Sequence, residues 1–504
     1  MNKPNNMLIF LSPLASAALM LLSFPPFELY VTPFVALVPL IFLIDHSRST
    51  TRAAAGTFMF GMAFWLGLLY WITLFTRAGY LVTALIMSGV MAIFALIVRR
   101  LRDKQGIPLT LSIPLVWTAA SYVHAHGDIA FPWGQLSQTL TYAPVWLQMA
   151  SVTGPYGVTM WLACINAVVY GLITVSGRRK NYASWLAILL AIPLCFGAVR
   201  FILHPGVEAE AGTLRVAFIQ PSIPQDIKWM PEMRDSTFFI LRNLSLGQKE
   251  ESPQLVVWPE AATPAHLRIE RKYQRFVGNV AIELDALLLT GAPEYQWDSL
   301  AQKYRSYNSA FSFSHEGRLL QSYDKTHLVP VSERFPWEDV FTFLQDLNVG
   351  GSHFVPGDSF TVFEMEREDE HFGVLICFES IFPEISRKFV NGGARFLVNI
   401  TNDAWFERTP AAYQHSSFLV LRAIEQGRDI VRAANTGESC FYDRLGRRRR
   451  ATELFELAAT TDTIHTYSTR TLYSRLGDWP AHVAWVGTLL LICISWYYGR
   501  KEKK

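Results

Sequence analysis

A membrane α-helical bundle of eight spans, carrying a layered α/β domain in water, is the fold this chain predicts. Three observations predict it. Eight apolar stretches flank one polar block, basic residues fall on alternate loops, and the block alternates short β-branched runs with helical ones. Of the 504 residues 51% are hydrophobic and 17% charged, with a mean hydropathy of +0.19. An average soluble chain is less apolar than that. Crossing the hydrocarbon takes about 20 apolar residues in a helix. Candidate spans lie at 7–24, 26–44, 54–75, 80–98, 108–124, 158–175 and 183–203, with the last at 481–498. The chain thus divides into a seven-helix membrane region (1–211), a water-facing domain (212–475) and a C-terminal span with its tail (476–504). The first stretch has a weak basic end and no small-x-small cleavage site after it, so it reads as a retained anchor rather than a secretory signal.

Orientation follows the lysines and arginines of the short loops. They occur at Lys3, at Arg48 and Arg52, at Arg99, Arg100, Arg102 and Lys104, at Arg178, Arg179 and Lys180, and at Arg500, Lys501, Lys503 and Lys504. These are every second loop, starting from the N-terminus. Both termini are therefore expected in the cytoplasm and the large domain outside it. The Arg447–Arg450 run then lies on the outer side, which long translocated domains tolerate. It reads as a solvated hairpin end after Leu445-Gly446, with a contact to anionic head groups as the sharper alternative.

The block is expected to hold strands at 214–218, 255–258, 286–289, 306–314, 319–323, 372–376 and 396–400. Helices are expected at 380–391 and 411–434, the second with apolar Phe418, Val420, Leu421, Ile424 and Ile430 among Arg422, Glu425 and Arg428. Strands alternating with helices suggest a layered α/β domain. Cys164, Cys195 and Cys493 fall in predicted spans, and Cys377 and Cys440 in the domain. No CxxC pair or Cys/His metal spacing occurs, so no metal site and no cofactor are expected. Cys377 either pairs with Cys440 or stays free for a reason.

Three segments could carry chemistry. In Val256-Val257-Trp258-Pro259-Glu260 a buried strand runs into proline, which ends the ladder and sets Glu260 at the strand end. A carboxylate there can act as a general base, or be a plain loop glutamate. In Tyr323-Asp324-Lys325-Thr326, Lys325 ends another strand, with Glu333 further on. It can supply fixed charge to an oxyanion, or form a surface salt bridge; His327 has no evident partner and reads as structural. In Gly373-Val374-Leu375-Ile376-Cys377-Phe378-Glu379-Ser380 an apolar strand delivers cysteine onto a turn before a helix. Backbone N–H groups at a helix start lower a thiol's pKa and bind oxyanions, although a cysteine on such a strand is often simply buried.

Together the three strand ends make a glutamate, lysine and cysteine set suited to acyl transfer. Here the chain resembles the nitrilase (carbon–nitrogen hydrolase) superfamily, through Trp258-Pro259-Glu260, Tyr323-Asp324-Lys325 and Ile376-Cys377-Phe378-Glu379. With spans on both sides it resembles, more narrowly, the apolipoprotein N-acyltransferase family of bacterial inner membranes. The likeness runs through GTFMFGMAFWLGLLYWIT at 56–73, Phe131-Pro132-Trp133-Gly134, Ile219-Gln220-Pro221-Ser222-Ile223-Pro224-Gln225 with Lys228-Trp229, Tyr307-Asn308-Ser309 and Gly477-Asp478-Trp479-Pro480. Val331-Ser332 stands where the family usually has Phe-Gly, and Phe378 where a tyrosine often follows the nucleophile.

The resemblance implies an αββα sandwich for the extracytoplasmic domain. It also implies transfer of an acyl chain from a phospholipid, phosphatidylethanolamine in the first place, to the α-amine of a lipoprotein's N-terminal diacylglyceryl-cysteine. Cys377 would form a thioester, Glu260 would move the protons, and Lys325 with a backbone N–H near Phe378 would hold the oxyanion. Glu333 and Glu379 would support them. Trp229, Asn308, Trp337 and Phe341 would contact lipid, the last two on a helix at 335–347 that also carries Val340, Leu344 and Leu347 and forms a mobile lid. The expected setting is a multi-pass monomer of the bacterial inner membrane with its catalytic domain in the periplasm and no nucleic-acid partner. The rivals are a membrane-tethered amidase using the same three residues with water, and a non-catalytic transporter or scaffold. The latter lacks the charged residues inside spans that ion paths require.

Overall fold

The computed structural model describes residues 6–203, 212–299, 302–341 and 353–501. The chain forms two compact units, Met1–Leu203 with Leu476–Lys504, and His204–Arg475.

The first unit is helical. Among the described residues, four helices are long and apolar enough to cross a membrane: Arg77–Gln105, Ala150–Thr174, Ser176–Leu203 and Trp479–Tyr497. Shorter apolar helices occupy Asn6–Leu21, Thr32–His46 and Leu109–Val123, and a further helix covers Thr50–Leu68. The expected span at 26–44 is not one continuous α-helix: a 3₁₀ turn at Thr32–Phe34 precedes the helix Val38–His46. That break leaves backbone groups unpaired in apolar surroundings, where each would cost several kcal/mol. The buried Asn166 takes them up. Its Nδ2 donates to the Pro33 carbonyl at 2.8 Å, and its Oδ1 accepts the Leu37 N–H at 2.8 Å. Leu81, Leu85, Ile192, Val483, Val486 and Leu490 are exposed on the outside of this unit, as lipid-facing positions are.

Among its described residues the second unit holds twelve strands in two six-stranded sheets. The first sheet contains β1 (Gly212–Gln220), β2 (Leu255–Val257), β3 (Leu287–Asp298), β4 (Lys303–Phe313), β5 (Leu319–Asp324) and β12 (Ala458–Thr466), in the order β12-β1-β2-β3-β4-β5. The second contains β6 (Phe363–Met365), β7 (Glu370–Ile376), β8 (Phe396–Thr401), β9 (Ile430–Ala434), β10 (Cys440–Tyr442) and β11 (Arg448–Arg449), in the order β11-β10-β9-β8-β7-β6. β1, β2 and β3 run parallel, as do β7, β8 and β9. Such strands are buried on both faces and read as continuous apolar runs. Phe218 of β1 meets Phe441 of β10 between the sheets, ring centroids 5.1 Å apart. Outside the first sheet, helices Pro231–Leu246 and Arg271–Leu284 pack Phe238, Leu241, Val277 and Val280 onto Val256, Leu288 and Phe311. Helix Pro383–Asn391 covers β7 so closely that a side chain on Gly373 would meet the Phe389 Cβ at 2.5 Å. The layering is αββα.

Several expectations shift. The helix expected at 411–434 is two elements: an α-helix, Pro410–Gln426, and strand β9. Gly427, at φ +62°, takes the left-handed cap that ends the helix. The helix expected from residue 380 begins at Pro383, after a 3₁₀ turn at Cys377–Ile381. The helix expected at 335–347 is not formed where it can be described. Residues 336–340 make turns, Trp337 has φ +58°, and Leu344 and Leu347 lie outside the described residues. The arginine run is a hairpin end whose Arg447, Arg448 and Arg449 pair with Asp443, Glu438 and Asp462. All five cysteines are free.

Candidate active site

Glu260 follows a three-residue parallel strand held between β1 and β3. Trp258 locks this turn, fully buried, its Nε1 donating to Ser245 Oγ at 2.8 Å. The turn needs room below it, which Gly291 of β3 provides: a Cβ there would lie 2.7 Å from the Glu260 Cα. The Glu260 carboxylate is 5% exposed. Its Oε1 accepts from Asn308 Nδ2 at 2.7 Å, and its Oε2 accepts the Asn402 N–H at 2.8 Å. Asn308 belongs to β4, while Asn402 follows β8 in the other sheet, so this carboxylate is gripped from both sheets.

Lys325 follows β5 and is 1% exposed. Its N–H donates to the Asn308 carbonyl at 2.9 Å, and Gly357 N–H donates to its own carbonyl at 2.9 Å. Its Nζ lies 2.9 Å from Glu333 Oε1 and 3.6 Å from Glu260 Oε1. Burial alone would depress this ammonium's pKa. The carboxylates of Glu333 and Glu260 and the Cys377 sulfur reverse the effect and hold it above the ordinary lysine range, so Lys325 is a fixed cation. Glu333 is itself fixed, its Oε2 accepting the Val329 N–H at 2.8 Å and its Oε1 also reached by Asn308 Nδ2 at 3.3 Å.

Cys377 follows β7, in the second sheet, with φ +51°. Left-handed backbone at a non-glycine residue is strained, and here it turns the thiol out of the strand. Burial and then the Glu260 charge push the thiol's pKa up, while Lys325 and a hydrogen bond from Thr401 act the other way. The low thiol pKa expected from a helix start is therefore overturned. Only a 3₁₀ turn sits at the sulfur, and the α-helix starts further on, at Pro383. A thiol held protonated needs a base at hand, and Glu260 is within electrostatic reach of it.

Glu379 joins the two halves. Its Oε1 accepts from Tyr323 OH at 2.6 Å, Thr326 N–H at 2.7 Å, Thr326 Oγ1 at 2.9 Å and His327 N–H at 3.3 Å, and its Oε2 accepts the Ile376 N–H at 2.8 Å. One buried carboxylate thus ties the turn after Lys325 to the turn carrying Cys377. Phe378 is buried, 5.2 Å from the Phe382 ring. Asn308 is buried with its amide nitrogen on the two glutamates. Trp229, Trp337 and Phe341 are about half exposed, at 49%, 48% and 51%.

Two features lay beyond the sequence reading. Lys228 is 1% exposed, and its Nζ donates to the Glu260 carbonyl oxygen at 3.4 Å. Burial lowers its pKa to about 8, against the pull of Glu260. Behind Cys377, Asp403, His415 and Arg432 form a buried polar chain. The Lys228-Trp229 pair drew notice for its resemblance only, and His415 sits inside an apolar helix where one histidine carries no signal.

Residues 215–470 match the carbon-nitrogen hydrolase family, and residues 16–168 match the apolipoprotein N-acyltransferase N-terminal domain. A Geobacter metallireducens protein named apolipoprotein N-acyltransferase is 33% identical, the alignment covering 96% of this chain and 95% of the relative. The chain belongs to the apolipoprotein N-acyltransferase family. Relatives of the same name from Chlorobaculum tepidum, 28% identical over 94% of each chain, and Brucella melitensis, 31% identical over 86% of this chain and 85% of the relative, agree. Membership in the apolipoprotein N-acyltransferase family accounts for both the helical unit and the αββα unit in one chain.

Proposed function

We propose that this chain N-acylates lipoproteins by a two-step exchange through a Cys377 thioester. The observation that carries this reading is the grouping of one buried lysine, Lys325, with Glu260 and Glu333, in electrostatic contact with the Cys377 sulfur. Glu260 takes the thiol proton as the sulfur attacks the ester carbonyl of a phospholipid. Lys325 and the Phe378 N–H hold the oxyanion. The tetrahedral intermediate then expels the lysophospholipid oxygen, which receives the proton from Glu260 and leaves an acyl thioester. The α-amine of a diacylated N-terminal cysteine attacks next, giving its proton to Glu260, and the Cys377 thiolate departs and is reprotonated. Splitting the transfer this way lets two lipid substrates use one site in turn.

In this reading phosphatidylethanolamine is the donor, Glu333 and Asn308 fix the Lys325–Glu260 pair, and Trp229, Trp337 and Phe341 meet lipid chains. The protein is a multi-pass monomer of the bacterial inner membrane, with eight spans, both termini in the cytoplasm and the αββα unit in the periplasm. The alternation of basic loops supports that topology.

The test is transfer of a labelled acyl chain from phospholipid to a diacylated lipopeptide. Wild type should transfer it and show a mass increase of one acyl chain on the protein; Cys377→Ala should do neither. Acyl chain released only to water, with no amide product, would instead make the chain a tethered amidase.

A further inference from the structure

The chain behind the nucleophile has no part in the steps above, yet every member is buried: Ser380, Thr401 and Arg432 at 0% exposure, Asp403 and His415 at 1%. Arg432 Nη2 donates to Asp403 Oδ2 at 2.5 Å. Thr401 Oγ1 donates to Asp403 Oδ1 at 2.9 Å, and His415 Nδ1 lies 2.9 Å from the same oxygen. Arg432 and His415, with Thr401, hold the Asp403 carboxyl well below its usual range, at about 2, although burial alone would raise it. An ionised Asp403 can only accept, so His415 Nδ1–H donates to it and the ring presents Nε2 on its far side. There it meets the Cys377 carbonyl oxygen at 3.1 Å and Ser380 Oγ at 3.0 Å. Ser380 Oγ donates to that same carbonyl at 2.8 Å. A carbonyl only accepts, so with Nδ1–H on Asp403 the contact is a hydrogen bond in the imidazolium form, whose charge faces the Asp403 carboxylate.

The Cys377 carbonyl and the Phe378 N–H are two ends of one planar peptide unit. Hydrogen bonds into the carbonyl fix that plane and polarise it, and polarised groups in a low-dielectric interior make stronger donors. We propose that His415, held by Asp403 and Arg432, is a positioning residue for the oxyanion. With Ser380 it anchors the carbonyl end of the 377–378 peptide, so that the N–H at Phe378 is aimed at the charge developing on the substrate oxygen. The buried ionic chain then has a use besides stability, which such groups seldom improve. The inference rests on Cys377 being the nucleophile.

The experiment compares two reactions of one thiol in the full-length protein. The first is acyl-enzyme formation from a phospholipid, which passes through an oxyanion. The second is alkylation of Cys377 by iodoacetamide, which displaces iodide and builds none. In His415→Leu, acylation should fall about 100-fold, the scale of losing an oxyanion donor, with alkylation within about threefold of wild type. Ser380→Ala removes one of the two bonds and should show the same pattern at about tenfold; it carries the comparison alone if His415→Leu does not fold. Unchanged acylation in Ser380→Ala and in any folded His415→Leu would overturn the proposal, and so would equal losses in both reactions, which would mean His415 only places the sulfur. Acyl-enzyme persisting in Cys377→Ala would strike instead at the nucleophile assignment, so the two failures are told apart.

Discussion

Glu260 and Glu379 are the same side chain buried about equally deeply, at 5% and 0% exposure, and in the proposed reaction they do opposite work. Glu379 is surrounded by donors: a tyrosine hydroxyl, a threonine hydroxyl and three backbone N–H groups. An ionised carboxylate has about four lone-pair positions; the Glu379 Oε1 is saturated and Oε2 carries the Ile376 N–H, so five donors hold this carboxylate where two loops meet, although burial raises its pKa. Glu260 has one donor on each oxygen, with Lys325 at 3.6 Å. It retains acceptor capacity and can take up a proton and release it while staying in place. The number of donors, more than burial, separates a carboxylate that fastens from one that reacts.

The sharpest break of that comparison is substitution by the isosteric amide. Glu260→Gln should lower acyl transfer by about 1,000-fold or more, with only one donor stranded and a smaller drop in melting temperature than Glu379→Gln. Cys377→Ala and Lys325→Ala should match that loss of transfer, and double variants should be no worse, because in the proposed mechanism the three groups act as a unit. Glu379→Gln should do the reverse in kind. Its amide nitrogen cannot accept, so buried N–H or O–H donors are stranded at about 1–3 kcal/mol. The expected outcome is a lower melting temperature with roughly 10- to 100-fold slower transfer. A Glu379→Gln protein as stable as wild type would show that its hydrogen bonds do not fasten the loops.

Gly291→Ala sharpens the same point. The added methyl would press on the Glu260 backbone from 2.7 Å, so turnover should fall about tenfold or more by displacing the base. Cys377 alkylation should slow with it, because the thiol is held protonated and Glu260 is the base within its reach.

Which of these residues the sequence revealed has a physical pattern. Glu260, Lys325 and Cys377 were legible because each closes an apolar β run, where chemistry stands out against a buried strand. The partners that tune them come from elsewhere in the chain and cast no such outline. Asn402 reaches Glu260 through its backbone N–H, which any residue has, and His415 meets Asp403 only once a helix and a strand have packed. The fold was readable to the same depth. β7 and β8 were plain, but β9 continued the apolar period of the helix before it, and a five-residue buried strand cannot be told from a helical turn by periodicity. Gly427 was the one local sign that the helix had stopped. The short β6, β10 and β11 owe their pairing to neighbours rather than to their own residues.

Outside the buried cluster, Trp337→Ser with Phe341→Ser should raise the apparent KM for phospholipid several-fold without changing kcat or melting. Both rings are about half exposed. Unchanged lipid kinetics would remove them from the substrate path.

Lys228 gives the smallest effect on turnover and a test of charge rather than of hydrogen bonding. Its folded-state pKa of about 8 lies below the ordinary 10.5. Between those values the unfolded chain binds more protons than the folded one, so folding becomes more favourable as pH rises through that window. Below pH 8 the full penalty of burying an ammonium is present, on the order of 3 kcal/mol. Lys228→Met never carries that charge. Wild type should therefore gain stability relative to Lys228→Met on going from pH 7 to pH 10, followed as the difference in midpoint of denaturant unfolding. A constant difference would mean that the lysine stays charged throughout, paired with the Glu260 turn as a permanent second cation. Lys228 would then belong with Lys325 in kind, and the charge around Glu260 would be set by two lysines rather than one.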